Sequence, residues 1–377
     1  MLSQAFKALI FLPAALRVAC AQTTACNNSP SLCSRAYNNI THLGAHDSPF
    51  VRDAADDYDI AGNQYYNSTV QLSAGVRLLS AQIQMTNSTS SGQLHVCHTS
   101  CDLFDAGKLS DWLSEVNVWL VANPDEVVTV LLVNGADATA QDLAAEYEAA
   151  GISDIVYTPT STAASSASTT SSYAASATST SSSTSEWPTL QSMISNGTRM
   201  VNFVASLSNN TGASYLLDEF SYIFENSYEN TAPTDFSCAA NRPSSVANDT
   251  ELALNQGLMP LMNHFLDEQV GFGIQAPNDT YIATTNGPSG GVGNLGASAD
   301  ECTSSYGKAP TFILVDFFNV GPAIQTVDRL NGVSDVIGRT NISTSVMSAT
   351  SGAPATGIQS GMLCLTLLAV MVLVVYW

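Results

Sequence analysis

Positive charge is scarce in this chain. Its 377 residues carry 11 Lys and Arg against 32 Asp and Glu, a formal net charge of −21. A surface of that sign repels phosphate backbones and excludes nucleic acid as a partner. Charged residues of both signs make up only 11%, while 45% are apolar, so a sizeable core is within reach. No phosphate loop, Rossmann glycine pattern or serine nucleophile elbow is visible. Histidine is scarcer still, with five residues, and long uncharged apolar runs are almost absent. Where these rare features do occur is therefore informative.

The apolar runs lie at the ends. Residues 1–21 read as a secretory signal: Lys7, the apolar "ALIFLPAAL", then Ala19-Cys20-Ala21 as a small-x-small cleavage site. At the other end, Met362–Trp377 is apolar without a charge, behind a short polar spacer and the small triplet Ser351-Gly352-Ala353. That order is the signal for a glycosylphosphatidylinositol (GPI) anchor, with attachment at Ser351 and removal of 352–377. A C-terminal transmembrane helix is the alternative, but no basic stop-transfer residue follows. An extracellular protein, anchored at the plasma membrane or cell wall, is expected.

Export gives the cysteines their meaning. Six remain in the trimmed chain, and an even number outside the cell favours disulfides. Pairing near neighbours gives Cys26 with Cys33, Cys97 with Cys101, and Cys238 with Cys302. Nine Asn-x-Ser/Thr sequons, including Asn27, Asn67 and Asn341, fit an exported glycoprotein. Residues 158–186 are almost all Ser, Thr and Ala. Such a stretch buries too little apolar surface to offset its ordering entropy, so it reads as a mobile, O-glycosylated insert. Residues 341–351 read as a short stalk.

The rest, residues 22–340, alternates apolar runs with helix-like segments. Expected strands include "NITHLGAH", "GVRLLSAQI", "EVVTVLLVN", "RMVNFVAS", "FSYIFEN", "GLMPLMNHF" and "TFILVDFFNV". Leu109, Trp112, Leu113, Val116 and Leu120 recur at helical spacing, with Ser110 or Asp111 as the expected cap and Pro124 just beyond. This alternation predicts a parallel α/β sheet. Several strands end in a polar residue: Asn134, Asn263-His264, Asp316. In a β/α barrel, such ends carry the active site.

Two stretches hold four of the five histidines. In "THLGAHDS", residues 41–48, the two-residue alternation puts His42, Gly44 and His46 on one face. His46 then sits at the strand end as a candidate proton acceptor. Asp47 can assist only if the chain turns there, and Ser48-Pro49 makes a turn plausible. In "LHVCHTSCDLFDAG", residues 94–107, a Cys97–Cys101 disulfide would fix His98. A zinc site of His95, Cys97, His98 and Cys101 is the rival, disfavoured by an oxidising compartment.

These two stretches, with "GVRLLSAQIQ", "WLVANPDEVVTVLLVN" and "FILVDFFNVG", resemble the fungal PLC-like phosphodiesterases, relatives of the X-domain of phosphatidylinositol-specific phospholipase C. The likeness runs from about residue 35 to about residue 335. It implies a single-domain, distorted TIM-type (β/α) barrel that cleaves a phosphodiester lipid through attack of the inositol 2-hydroxyl. It also implies His46 as general base, His98 as general acid and Asp47 beside the base. Bacterial members have an arginine, and animal members a calcium-binding Asp, near Gln82; animal members also place a Glu near Ser80. Here neither cation nor calcium cage is offered, so no metal and no cofactor is expected. Arg77 should face away from Gln82 in a structural ion pair. Asp316 is expected to orient a catalytic histidine, while Asn134, Glu225 and His264 are candidate substrate contacts. The alternative is an inactive surface glycoprotein whose barrel binds carbohydrate or lipid headgroups.

Overall fold

The computed structural model describes residues 25–348, apart from 56, 87–91, 160–186 and 272–273. The expected signal, the hydroxyl-rich insert from residue 160 and the attachment residue Ser351 lie outside the described residues.

The first strand, β1 (His42–Ala45), is followed by α1 (Ser68–Ala74), β2 (Leu78–Met85) and an antiparallel ribbon of β3 (Leu94–Cys97) and β4 (Asp105–Lys108). Then come α2 (Leu109–Ala122), β5 (Val128–Asn134), α3 (Ala140–Ala149), α4 (Leu190–Ser195), β6 (Met200–Ala205), β7 (Leu216–Asp218), β8 (Ile223–Glu225), α5 (Thr250–Asn255) and β9 (Met259–Asn263). A hairpin of β10 (Asp267–Gly271) and β11 (Ile274–Pro277) precedes α6 (Ile282–Thr285), α7 (Leu295–Tyr306), β12 (Phe312–Val315) and α8 (Ala323–Asn331).

Strands β1, β2, β5, β6, β7, β8, β9 and β12 run parallel, each bonded to its successor, and β12 returns to β1. The one missing link is between β7 and β8. The result is a distorted β/α barrel, open at one seam. Short β7 and β8, three residues each, joined by a single 3₁₀ turn at Glu219–Ser221, leave no room for the helix that would normally space them.

Side chains alternate between two cores. Leu43, Leu79, Ala81, Val130 and Ile313 pack outward against the helices. Leu78, Leu131, Phe203, Leu261, Phe312 and Leu314 fill the barrel. Gly44 belongs to this inner face because its neighbours crowd it: a Cβ there would lie 2.6 Å from Leu314 and 2.8 Å from Leu78. Tyr37 and Trp187, with ring centroids 4.8 Å apart, plug the N-terminal end of the barrel.

Local chemistry explains the elements, with some departures from the sequence patterns. Helix α2 buries the expected stripe of Leu109, Trp112, Leu113, Val116 and Leu120. Its cap position is Lys108, without a side-chain cap bond, so Ser110 and Asp111 fall in the first turn. The Ser110 N–H instead donates to Glu146 of α3 at 3.0 Å, so a neighbouring helix supplies the acceptor. All three expected disulfides are present. Residues 341–348, expected as a stalk, lie against the barrel: Asn319 Nδ2 donates to the carbonyls of Ser343 and Ser345 at 3.0 and 3.4 Å. Among the sequons, Asn27 is buried and its Oδ1 accepts the Val127 N–H at 2.7 Å.

Candidate active site

His42 and His46 share one face of β1 yet have opposite environments. His42 lies deep in the barrel, its Nε2 bonded to the Tyr37 carbonyl at 3.0 Å and its ring stacked on Phe312. Burial pushes its pKa down to about 4. It is a neutral core residue.

His46 stands just past β1, at the C-terminal mouth. Its Nδ1 donates to Asp316 Oδ1 at 2.9 Å, from just beyond β12. Asn63 Nδ2 also donates to that carboxylate oxygen, at 3.1 Å. Gln64 Nε2 donates to the His46 and Val315 carbonyls at 2.8 and 3.0 Å and ties the two strand ends together. Phe265 stacks flat on the imidazole, with centroids 3.7 Å apart. Orientation, tautomer and position are thus fixed from three separate segments, and Nε2 is left facing the mouth.

Asp47 does turn inward. Its φ is +46°, a left-handed conformation that Asp tolerates better than most residues. Its N–H donates to Ser80 Oγ at 2.9 Å, which holds the turn. Asp47 Oδ2 then lies 3.6 Å from His46 Nε2 and 3.5 Å from His98 Nε2. Gln82 Nε2 donates to the same oxygen at 2.7 Å, and Gln82 Oε1 accepts the Thr99 N–H at 3.0 Å.

His98 comes from the ribbon. It follows β3, in the turn closed by the Cys97–Cys101 disulfide. Its Nδ1 donates to the Ala61 carbonyl at 2.7 Å, and its ring stacks on Phe50. Nε2 is therefore the nitrogen offered to the mouth. The disulfide removes both thiols from the zinc alternative: His95, Cys97 and Asp105 do cluster, but Cys97 offers no thiolate, and His95 Nδ1 pairs with Asp105 at 2.9 Å.

Charge decides protonation. Burial alone would lower the His46 pKa; the carboxylates of Asp47 and Asp316, with a smaller push from Asp267, outweigh it and hold it at about 9. Asp267, at the start of β10, sits in the same field. Burial raises its pKa to about 7, with Asp316 pushing further up and His46 pulling back.

The remaining sequence candidates are placed elsewhere. Asn134 is buried at the end of β5, and its amide closes the following loop onto Ala138, accepting its N–H and donating to its carbonyl at 2.9 and 3.0 Å. Glu225 is buried at the end of β8, paired with Arg242 and accepting from Asn263 at 3.3 Å. His264 points out of the barrel, bonded to the Thr285 carbonyl at 3.0 Å and stacked on Phe236. Its burial lowers its pKa to about 4. It is a core histidine, because the inward position at that strand end falls to its neighbour Asn263. Arg77 pairs with Glu126 at 2.6 Å at the opposite end of the barrel, beside a cavity of about 280 Å³ that holds none of the catalytic candidates.

Asn63, Gln64, Phe265 and Asp267 went unread in the sequence. Phe265 figures there only as the last residue of a strand, and each meets His46 only through the folded barrel.

Comparisons with known proteins give the family. The family model PI-PLC X 1 matches residues 32–331. The chain belongs to the PI-PLC X family. Two relatives from Arthroderma benhamiae are each 34% identical to this PI-PLC X chain. One is an uncharacterized secreted protein, matched over 83% of this chain and 65% of its own length. The other is a PI-PLC X domain-containing protein 1, matched over 83% of this chain and 91% of its own. Among solved structures, a phosphatidylinositol-specific phospholipase C of S. aureus superposes with a TM-score of 0.50 at 14% identity, over 83% of this chain and 99% of that one. At that identity the likeness speaks for the fold. The PI-PLC X barrel is what sets His46, Asp47 and His98 at one mouth.

Proposed function

We propose that this protein is an extracellular, GPI-anchored phosphodiesterase acting on phosphatidylinositol-like or glycerophosphodiester lipids by two-histidine acid–base catalysis. The observation that carries the reading is the Asp47 carboxylate set between two Nε2 atoms, at 3.6 and 3.5 Å, each imidazole held through its Nδ1. Neutral His46 takes the proton of the attacking hydroxyl as its oxygen bonds to phosphorus. His98 gives its proton to the departing alkoxide as the P–O bond breaks, leaving a cyclic phosphate. Asp47 stabilises whichever imidazole is cationic, and Asp316 holds the base.

Gln82 favours a second reading. It is neutral and bonded to the Asp47 carboxylate, where an anionic substrate would gain most from a cation. A barrel that binds headgroups without turnover would look like this. Incubation of the purified protein with phosphatidylinositol separates the two. Cyclic inositol phosphate, lost on His46→Ala and His98→Ala, supports the enzyme. Binding of phosphatidylinositol vesicles with no phosphodiester cleaved supports the module. A positioned acid or base contributes about 10²–10⁴-fold, so each variant should lose at least that order.

A further inference from the structure

Residues 333–348 run from one end of the barrel to the other. At the N-terminal end, the Ile337 N–H donates to the Asn28 carbonyl and the Thr340 N–H to the Ser73 carbonyl, both at 2.8 Å. Arg339 grips Asp328 through both carboxylate oxygens, at 2.6 and 2.7 Å. At the catalytic end, Asn319 holds Ser343 and Ser345, and Met347 packs on the cluster of Tyr65, Ile282, Phe317 and Val320. Phe317 directly follows Asp316, the partner of His46.

We propose that this strap turns the catalytic mouth toward the membrane that holds the anchor, so that the substrate is a phosphodiester lipid of that same leaflet. The inference rests on the anchored-phosphodiesterase reading above and names its source of substrate. Ser351 is three residue steps beyond Ser348, and three steps span at most about 11 Å when fully extended. A chain pinned at Asn319 and Phe317 and lipidated that close puts the attachment point at the mouth end of the barrel.

Three other features point the same way. The hydroxyl-rich segment leaves and returns at the opposite end, where Val156 bridges Met200 and Tyr157 meets Trp187 with centroids 5.5 Å apart. Exposed apolar side chains stand on connections at the mouth end: Ile60 at 55%, Leu103 at 46% and Val292 at 57%. With a net charge of −21 the protein gains no general attraction to anionic lipid. A short tether instead presents the mouth at an effective concentration on the order of millimolar.

The test uses the full-length anchored protein in phosphatidylcholine vesicles. Labelled phosphatidylinositol is placed either in the same vesicles or in a second population. Cleavage in the protein's own vesicles should exceed cleavage in the other population by at least about 100-fold, the low end of what tethering gives. Inserting twenty Gly/Ser residues after Ser348 should bring the ratio toward one. Equal cleavage of both populations by the unaltered protein, or an unchanged ratio after insertion, overturns the orientation.

Other readouts separate this from failure of the underlying reading. Partition into a detergent phase reports the anchor, and a soluble short-chain phosphodiester reports the chemistry. Should the anchored protein be inactive, a dye at Ile60→Cys quenched by nitroxide lipid, with a dye at Gln256→Cys unquenched, still supports the orientation. The reverse pattern, or a protein absent from the detergent phase, overturns it.

Discussion

His46 and Asp267 are the residues through which pH should act. His46 has a folded-state pKa of about 9, above its ordinary 6.5. The folded state therefore favours the charged imidazole. Its contribution to stability is complete below about pH 6.5 and disappears as pH rises through about 9. Catalysis needs the opposite form. As base, His46 must be neutral, so kcat/KM on a substrate with a good leaving group, which needs no proton from His98, should climb with pH toward about 9. Asp316→Asn should move that rise to lower pH, and Asp267→Asn should do so less, following the order of their influence on His46. A flat profile over pH 6–9 with that acid-independent substrate would remove His46 from the role. Asp267 adds a stability term. Its pKa is raised from 3.8 to about 7, so the folded state loses stability as pH rises through that window. Asp267→Asn should raise the melting temperature at pH 8 and leave it unchanged at pH 3, below both values.

At this scale the sequence was readable where one strand decides the outcome. His46 and Asp316 sit just past strand ends on the inner face, a position that two-residue alternation yields directly, whereas Gln82, inside β2, was singled out only by the family resemblance. Asp47 needed a left-handed turn, which no pattern states, although Ser48-Pro49 hinted at it. His264 and Asn263 show the limit. They are neighbours at one strand end, and a register error of one residue exchanges the inward and outward side chains.

Among elements, the ribbon of β3 and β4 matters most, and periodicity missed it because these strands are four residues long and partly exposed. It grows from β2, which continues beyond the barrel to Met85 and pairs Ile83 with Val96. That extension carries His98 across to the base. The disulfides divide between two jobs. Cys97–Cys101 closes four residues and Cys238–Cys302 closes 64. On chain entropy the first is worth about 2 kcal/mol and the second about 4. Replacing Cys238 and Cys302 by Ala should therefore lower stability more and leave kcat near its starting value, since neither touches the mouth. Replacing Cys97 and Cys101 should lower stability less but reduce kcat, because the turn holding His98 is released. Denaturation midpoints and single-turnover rates on the same samples check both. Equal loss of kcat in the two variants would show that the short bridge does not position His98.

For the whole molecule, the barrel closes in chain order except at one seam; the sequence pattern gave the parallel α/β sheet, because seven of the eight parallel strands read as apolar runs, and the family resemblance gave its closure into a barrel. The exception, β7, is three residues long and gave no signal. The hydroxyl-rich segment is legible as an interruption for the opposite reason: it has nothing to bury. Its flanks meet on the barrel. Tyr157 bonds its N–H to the Met200 carbonyl at 2.7 Å, and Trp187 packs with Tyr37 and Phe203 in the plug. The two flanks already meet, so the segment closes a loop without bridging a distance. Closure entropy grows by about 0.6 kcal/mol per doubling of loop length. Replacing residues 160–186 by two or three glycines shortens the loop by roughly three doublings, so stability should rise by about 2 kcal/mol. The His46–Asp47–His98 mouth lies at the other end of the strands and should keep its rate on a soluble phosphodiester. A lowered denaturation midpoint would mean that the segment packs on the barrel. A changed rate would mean that it reaches the mouth, and the one-sided arrangement of insert and active site would then have to be given up.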